Sequence, residues 1–293
     1  MLRRQHTIGI ILVAMSALLW SFGGTMARFI SVDSSWTVIF WRSYFATVFL
    51  LIFMVLRDGP TKTLELFRTM GWPGLSVAFC FALASTCFVV ALSYTTVANI
   101  LLIQAAVPLL AALLAWLVFG EKSSIATWIA IAAVVAGIAV MTSETLTGKI
   151  SPVGDGLAIL IALSFAIATV LTRRHSHVQM LPAVTLGTSL AAIFSMFMVK
   201  SYAVDGQNLG WLAAFGMINL GLGLALFTLG ARLVPAALAA LIGTLEPILG
   251  PLWVWLSHAE VPSRRTIIGG TIVFLALFTH LLIDWWRSQK HQR

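Results

Sequence analysis

Few side chains in this sequence can do chemistry, and those that can are set in apolar stretches. Glu246 lies near the middle of Ala236–Leu256, a run long enough to cross a bilayer. An ionised group at that depth costs about 2.5–3.5 kcal/mol on insertion scales, so it calls for a purpose. A carboxylate there can contact a substrate amine or take up a proton. It can equally sit hydrogen-bonded beside the backbone that Pro247 and Pro251 leave without donors. Arg42, about two turns inside its apolar segment, can hold a carboxylate through a bidentate fork, or it can snorkel and pair structurally. Asn99 and Gln104 share one segment, and their amides both donate and accept, which suits a zwitterion. Amides also bond between helices. Trp20 and Phe165 are deep aromatics that can stack on a substrate, wall it off, or simply pack. Hinge candidates are Pro108 and Pro247, with Gly221 and Gly223 in mid-segment, where close helix packing is the competing reason for glycine.

Other chemistries have no residues to run on. The sequence shows no phosphate loop, metal-ligand spacing or nucleophile elbow, so no catalytic residue, metal or cofactor is expected. Cys80 and Cys87 share a segment two helical turns apart, about 10 Å, too far for a disulfide. Without an ATP site, any transport is passive or coupled to an ion gradient.

The elements that must position these residues are membrane helices. The 293 residues are 60% hydrophobic and 10% charged, with mean hydropathy +0.99, and a soluble domain carries about 25% charged residues. Ten segments have spanning length: Ile8–Ala27, Trp36–Leu56, Pro73–Ser93, Val97–Phe119, Ser124–Thr142, Val153–Thr172, Leu181–Val199, Trp211–Gly230, Ala236–Leu256 and Ile267–Ile283. The net charge of +8 reads as loop lysine and arginine on the cytoplasmic side rather than as a nucleic-acid footprint. With both termini cytoplasmic, thirteen basic residues are assigned inside, Arg264 and Arg265 among them. Four are assigned outside: Arg28, Lys149, Lys200 and Arg232.

The chain repeats itself. At a shift of 139 positions, Pro108 falls on Pro247, Trp116 on Trp255 and Glu121 on Glu260. At 145, Gly9, Trp20 and Arg28 fall on Gly154, Phe165 and Arg173. Segments one to five therefore match six to ten, as halves 1–146 and 147–293 joined through Ser143–Pro152. Five is odd, so the second half enters the membrane from the opposite side. Inverted repeats suit alternating access, because each half can adopt the other's conformation. The fold expected is an all-α membrane protein of ten transmembrane helices, built as two inverted five-helix repeats around a central cavity.

Two five-segment halves, each with a proline in the fourth segment followed by Gly120-Glu121 or Ala259-Glu260, resemble the drug/metabolite transporter superfamily, EamA type. The likeness covers essentially the whole chain and is most similar to that superfamily's amino-acid exporters of bacterial inner membranes. It implies a ten-helix basket whose cavity is walled mainly by the third, fourth, eighth and ninth helices, with help from the first and sixth. It also implies a secondary transporter, not an enzyme, exporting amino acids (aromatic ones included) and related small metabolites. The alternative is efflux of drugs or lipophilic cations. Charged lining discriminates the two: amino acids need a donor and an acceptor cluster, whereas cations need only the acid. Expected partners are a small-molecule substrate and membrane lipid, and no nucleic acid.

Overall fold

A computed structural model describes the backbone of residues 2–120, 124–143, 151–175, 179–234 and 236–291, and side chains except those of 2–4, 236–237 and 284–291. All ten apolar segments are helical where described. The first is α1 (Leu2–Ser21) and α2 (Gly23–Phe29), and the second is α3 (Ser35–Asp58). A short surface helix, α4 (Pro60–Thr69), leads into α5 (Gly71–Ala91). The fourth segment is split into α6 (Val97–Gln104) and α7 (Val107–Phe119), followed by α8 (Ile125–Thr142). The second half runs α9 (Pro152–Arg174), α10 (Met180–Met196), α11 (Gly206–Ala213), a π-helical stretch (Ala214–Leu222) and α12 (Gly223–Gly230). It ends with α13 (Ala236–Gly243), α14 (Leu245–His258) and α15 (Arg264–His291). Among the described residues, eight helical stretches are long and apolar enough to cross a membrane, and α6 with α7 makes a ninth. α10, at 17 residues, reaches only about 25 Å.

The fourth and ninth segments break where proline chemistry dictates. Proline has no N–H for the carbonyl four residues back, and its ring collides with that carbonyl. Four residues before Pro108 is Gln104, where α6 ends, and four before Pro247 is Gly243, where α13 ends. α6 and α7 meet at a bend of 42°. The far ends also correspond. Gly120 and Ala259 each close a helix in the left-handed region, at φ 64° and 52°, and each donates its N–H to a tryptophan carbonyl, Trp116 or Trp255, at 2.9 Å. One turn on, Ser124 accepts from the Thr127 N–H and Ser263 from the Thr266 N–H. All these pairs are 139 positions apart.

The bundle is held by close helix crossings. α5 packs on α9 and α10, α10 on α3, α8 on α15, and α1 on α12. α8 and α15 touch through backbone: a Cβ on Gly137 would lie 2.7 Å from the Gly269 carbonyl oxygen. In a membrane such small-residue contacts replace the hydrophobic drive available in water. The linker residues 144–150 lie outside the described residues.

The structure corrects the sidedness assigned to three arginines. Arg28 pairs with Glu260, and Arg265 donates to the Ser143 carbonyl at 2.8 Å, so the loop before α15 lies at the Arg28 end. Arg232 lines one small crevice together with Arg57, at the opposite end. Arg264 and Arg265 therefore join the Arg28 group and Arg232 leaves it, making the bias twelve to five. The physical reason is parity: with each apolar segment taken as one crossing, a chain reaches the far side after an odd number, and the loop before α15 follows the ninth segment.

Candidate functional site

The helix breaks open onto a cavity of about 370 Å³. α6 ends into it with Gln104, α7 begins in it with Val107 and Pro108, and α13 ends in it with Gly243. Glu246, in the first turn of α14, faces it. A helix start carries partial positive charge, so this carboxylate is placed where a negative charge is favoured. Its half-buried side chain has no hydrogen-bond partner among the described residues. It does not bond to the backbone freed by the prolines, which was one of its two sequence readings. Gln104 Nε2 is buried without a partner.

Arg42 of α3, 5% exposed, also lines the cavity. Its Nη1 donates to the Ser85 hydroxyl at 3.0 Å and to the Ser85 carbonyl at 3.4 Å. The guanidinium carbon lies 4.2 Å from the Phe215 ring centroid and 5.7 Å from that of Phe88. Ser85 is a site residue that sequence reasoning missed, since a lone serine in an apolar run carries no signal. The ion pairs among the described residues are Arg28–Glu260 and Arg57–Asp58, so neither Arg42 nor Glu246 has a counter-ion within 4 Å.

Aromatic rings make the rest of the wall. Trp20 packs against Phe227 at 5.3 Å and Phe165 against Phe81 at 6.1 Å, and all four line the cavity. The walls include α3 and α10 as well as the segments the resemblance implied. Trp20 sits just before the break between α1 and α2. That break has its own support: Asn219 Nδ2 donates to the Leu19 carbonyl at 2.7 Å and the Trp20 carbonyl at 3.2 Å. Asn219 is held in the π-helical stretch, a geometry not read from the sequence. π-bulges concentrate at functional sites.

Three sequence candidates lie off the cavity. Asn99 is 1% exposed and donates to Asp155 Oδ1 at 2.5 Å and Thr95 Oγ1 at 3.1 Å. It ties α6 to α9 and is not a lining residue. The reason is angular: five helical residues put Asn99 about 140° from Gln104, so one face cannot hold both. Gly221 lies against Phe49, where a Cβ would come within 2.7 Å of Cδ1, and Gly223 lies against the Trp20 indole. Both glycines permit close packing. Pro108 and Pro247, by contrast, stand at the two breaks and line the cavity.

The cavity extends from the breaks toward one end of the bundle. Its lining includes Phe165, Ala168 and Thr169 from the C-terminal half of α9, and Phe227 and Thr228 near the end of α12. Met180, Phe227 and Thr228 are shared with the crevice that holds Arg57 and Arg232. At the other end, near α11, Asp205 accepts from the Asn208 backbone N–H at 2.9 Å, which holds its carboxyl below the usual pKa range.

Residues 7–143 and 152–282 match the EamA-like transporter family. No curated protein matches the chain in sequence. A solved crystal structure of another protein has a TM-score of 0.66 over 95% of this chain and 98% of its own, at 18% identity. That likeness concerns the fold alone.

Proposed function

The chain belongs to the EamA-like transporter family, and from that premise we propose that it is a secondary carrier exporting amino acids and related small metabolites across a bacterial inner membrane. Membership makes it a multi-pass, DMT-type transporter, and members of this family are transporters, not enzymes. In the finer reading, ten spans form two inverted five-helix repeats, 1–146 and 147–293, with both termini cytoplasmic. The correspondence of breaks, caps and left-handed closures at one shift supports the repeat. The twelve-to-five distribution of basic residues supports the orientation.

One observation carries the substrate reading: an unpaired carboxyl, Glu246, faces a cavity formed at paired helix breaks. Substrate sites of transporters are commonly built from such broken helices, whose ends supply fixed partial charges. An amine is the guest that a lone cavity carboxylate attracts. Efflux of lipophilic cations is the second reading, favoured by the same carboxyl among aromatic rings. A competition panel in proteoliposomes separates them. Uptake of a labelled neutral amino acid into vesicles should saturate, and unlabelled amino acids should compete while tetraphenylphosphonium should not. Flux linear in concentration would point to a pore, and competition by the cation alone would select the second reading.

A further inference from the structure

We infer that Arg42 is the carboxylate anchor of the cavity, so that this carrier takes an apolar monocarboxylate, with or without an amine, and rejects lipophilic cations. The inference rests on the carrier reading above and narrows its substrate class.

A guanidinium has five N–H donors and no acceptor. In Arg42 only Nη1 is used, and only toward Ser85. Nε is buried with no partner. Nη2 makes no hydrogen bond to the described residues either. Nε has essentially no accessible surface, so a ligand carboxylate reaches this group through its Nη atoms, of which Nη2 is unused. Phe215 covers one face of the group at 4.2 Å, which holds the plane but supplies no charge. Arg42 is 5% exposed, lies well inside its span, and has no carboxylate within 4 Å. A buried charge without a partner is strongly unfavourable, and proteins ordinarily pair it. Arg42 also lines the cavity, so an occupant can bring the missing anion.

The remaining lining describes that occupant. Trp20, Phe81, Phe165 and Phe227 offer apolar surface for its body. Glu246 shares the cavity without reaching Arg42, leaving two separated poles that suit a zwitterion. A lipophilic cation would meet the guanidinium as a like charge, a repulsive element that selects against it.

The test uses the full-length protein purified in detergent, with ligand-induced thermal stabilisation as a binding readout independent of transport. The probes share one ring system: phenylalanine, 3-phenylpropionate (no amine) and phenethylamine (no carboxylate), with tetraphenylphosphonium as the bulky cation. The parent should be stabilised by the two acids and not by the two cations. Arg42→Lys keeps the charge but loses the fork, and should weaken both acids by about tenfold or more, as expected for lost charge-assisted bonds. Arg42→Gln should abolish binding of 3-phenylpropionate. Ser85→Ala leaves Arg42 in place but removes the hydroxyl that aims it, and should weaken the acids less than Arg42→Lys does. Melting of each variant without ligand checks its fold. Equal binding of phenethylamine and 3-phenylpropionate by the parent would overturn the inference. So would parent-like acid binding by Arg42→Lys, or no binding of either acid to the parent. If the acids bind through Arg42 but liposome flux does not saturate, the carrier reading falls and the anchor stands. If amino-acid flux saturates equally in the parent and Arg42→Lys, the anchor falls and the carrier stands.

Discussion

The Arg28 guanidinium and the Glu260 carboxylate meet at 2.9 Å across 232 positions of chain, at the end of the bundle away from the cavity. Arg28 also donates to the carbonyls of Leu92, at 3.0 Å, and Thr95, at 3.4 Å. The second oxygen of Glu260 accepts the Val97 N–H at 2.8 Å. One ion pair thus ties the end of α2 and the loop after α14 to the end of α5 and the start of α6. If the cavity opens to this side, the pair is the contact expected to break. The sequence counterparts are Arg173 and Glu121; Glu121 lies outside the described residues.

Neutralising either partner should shift the resting population toward opening on the Arg28 side. The pair is partly exposed, which limits its worth to about 1 kcal/mol, or roughly fivefold in population. With Cys80 and Cys87 replaced, a cysteine at cavity residue Ala105 should react about fivefold faster with impermeant thiol reagent from that side in Arg28→Gln or Glu260→Gln. An unchanged labelling rate in both variants would show that this pair does not hold the end shut.

Glu246→Gln keeps the shape of the side chain but cannot ionise. A hydrogen bond to a charged group is worth about 1.5–3 kcal/mol, so affinity for an amine-bearing substrate should drop by about tenfold or more. Saturation curves of amino-acid uptake measure this. If Glu246 also carries the coupling proton, the variant should lose accumulation driven by a pH gradient, and its flux should flatten across pH. Transport matching the parent at every pH would remove both roles.

Pro108→Ala and Pro247→Ala each restore an N–H to the carbonyl four residues back, on Gln104 or Gly243. Each change should straighten its broken helix and slow turnover well beyond any loss in expression. Two variants with parental turnover per folded molecule would mean that the breaks shape the cavity without serving as hinges.

Ala259 holds a left-handed conformation, at φ 52°, that costs a non-glycine residue about 1–2 kcal/mol. Ala259→Gly relieves it but frees the unfolded chain, at a cost of about 0.4–1 kcal/mol. The net gain should be about 0.5–1 kcal/mol, seen as a higher melting temperature in detergent. Gly120→Ala, at φ 64° with open space around its Cβ position, should lower stability comparably. A fall in melting temperature for Ala259→Gly would contradict the strain.

Much of this protein follows from the sequence because the forces involved act locally. Apolar run length determines the helices, since a backbone in lipid must satisfy its own hydrogen bonds. Proline determines where the fourth and ninth segments break, because a missing N–H acts on a carbonyl four residues away. The repeat carries both features into the second half. Tertiary packing decided the rest. Asn99 and Gln104 read alike in sequence, yet their angular separation sends one to Asp155 and the other to the cavity. Nothing near Arg42 indicates that Ser85 and Phe215 hold its guanidinium at the cavity wall with Nη2 unused. The partnership of Arg28 with Glu260 joins opposite ends of the chain. Which residues face inward, and which charges meet, depends on how helices rotate and cross against neighbours far away in sequence. No local pattern encodes that.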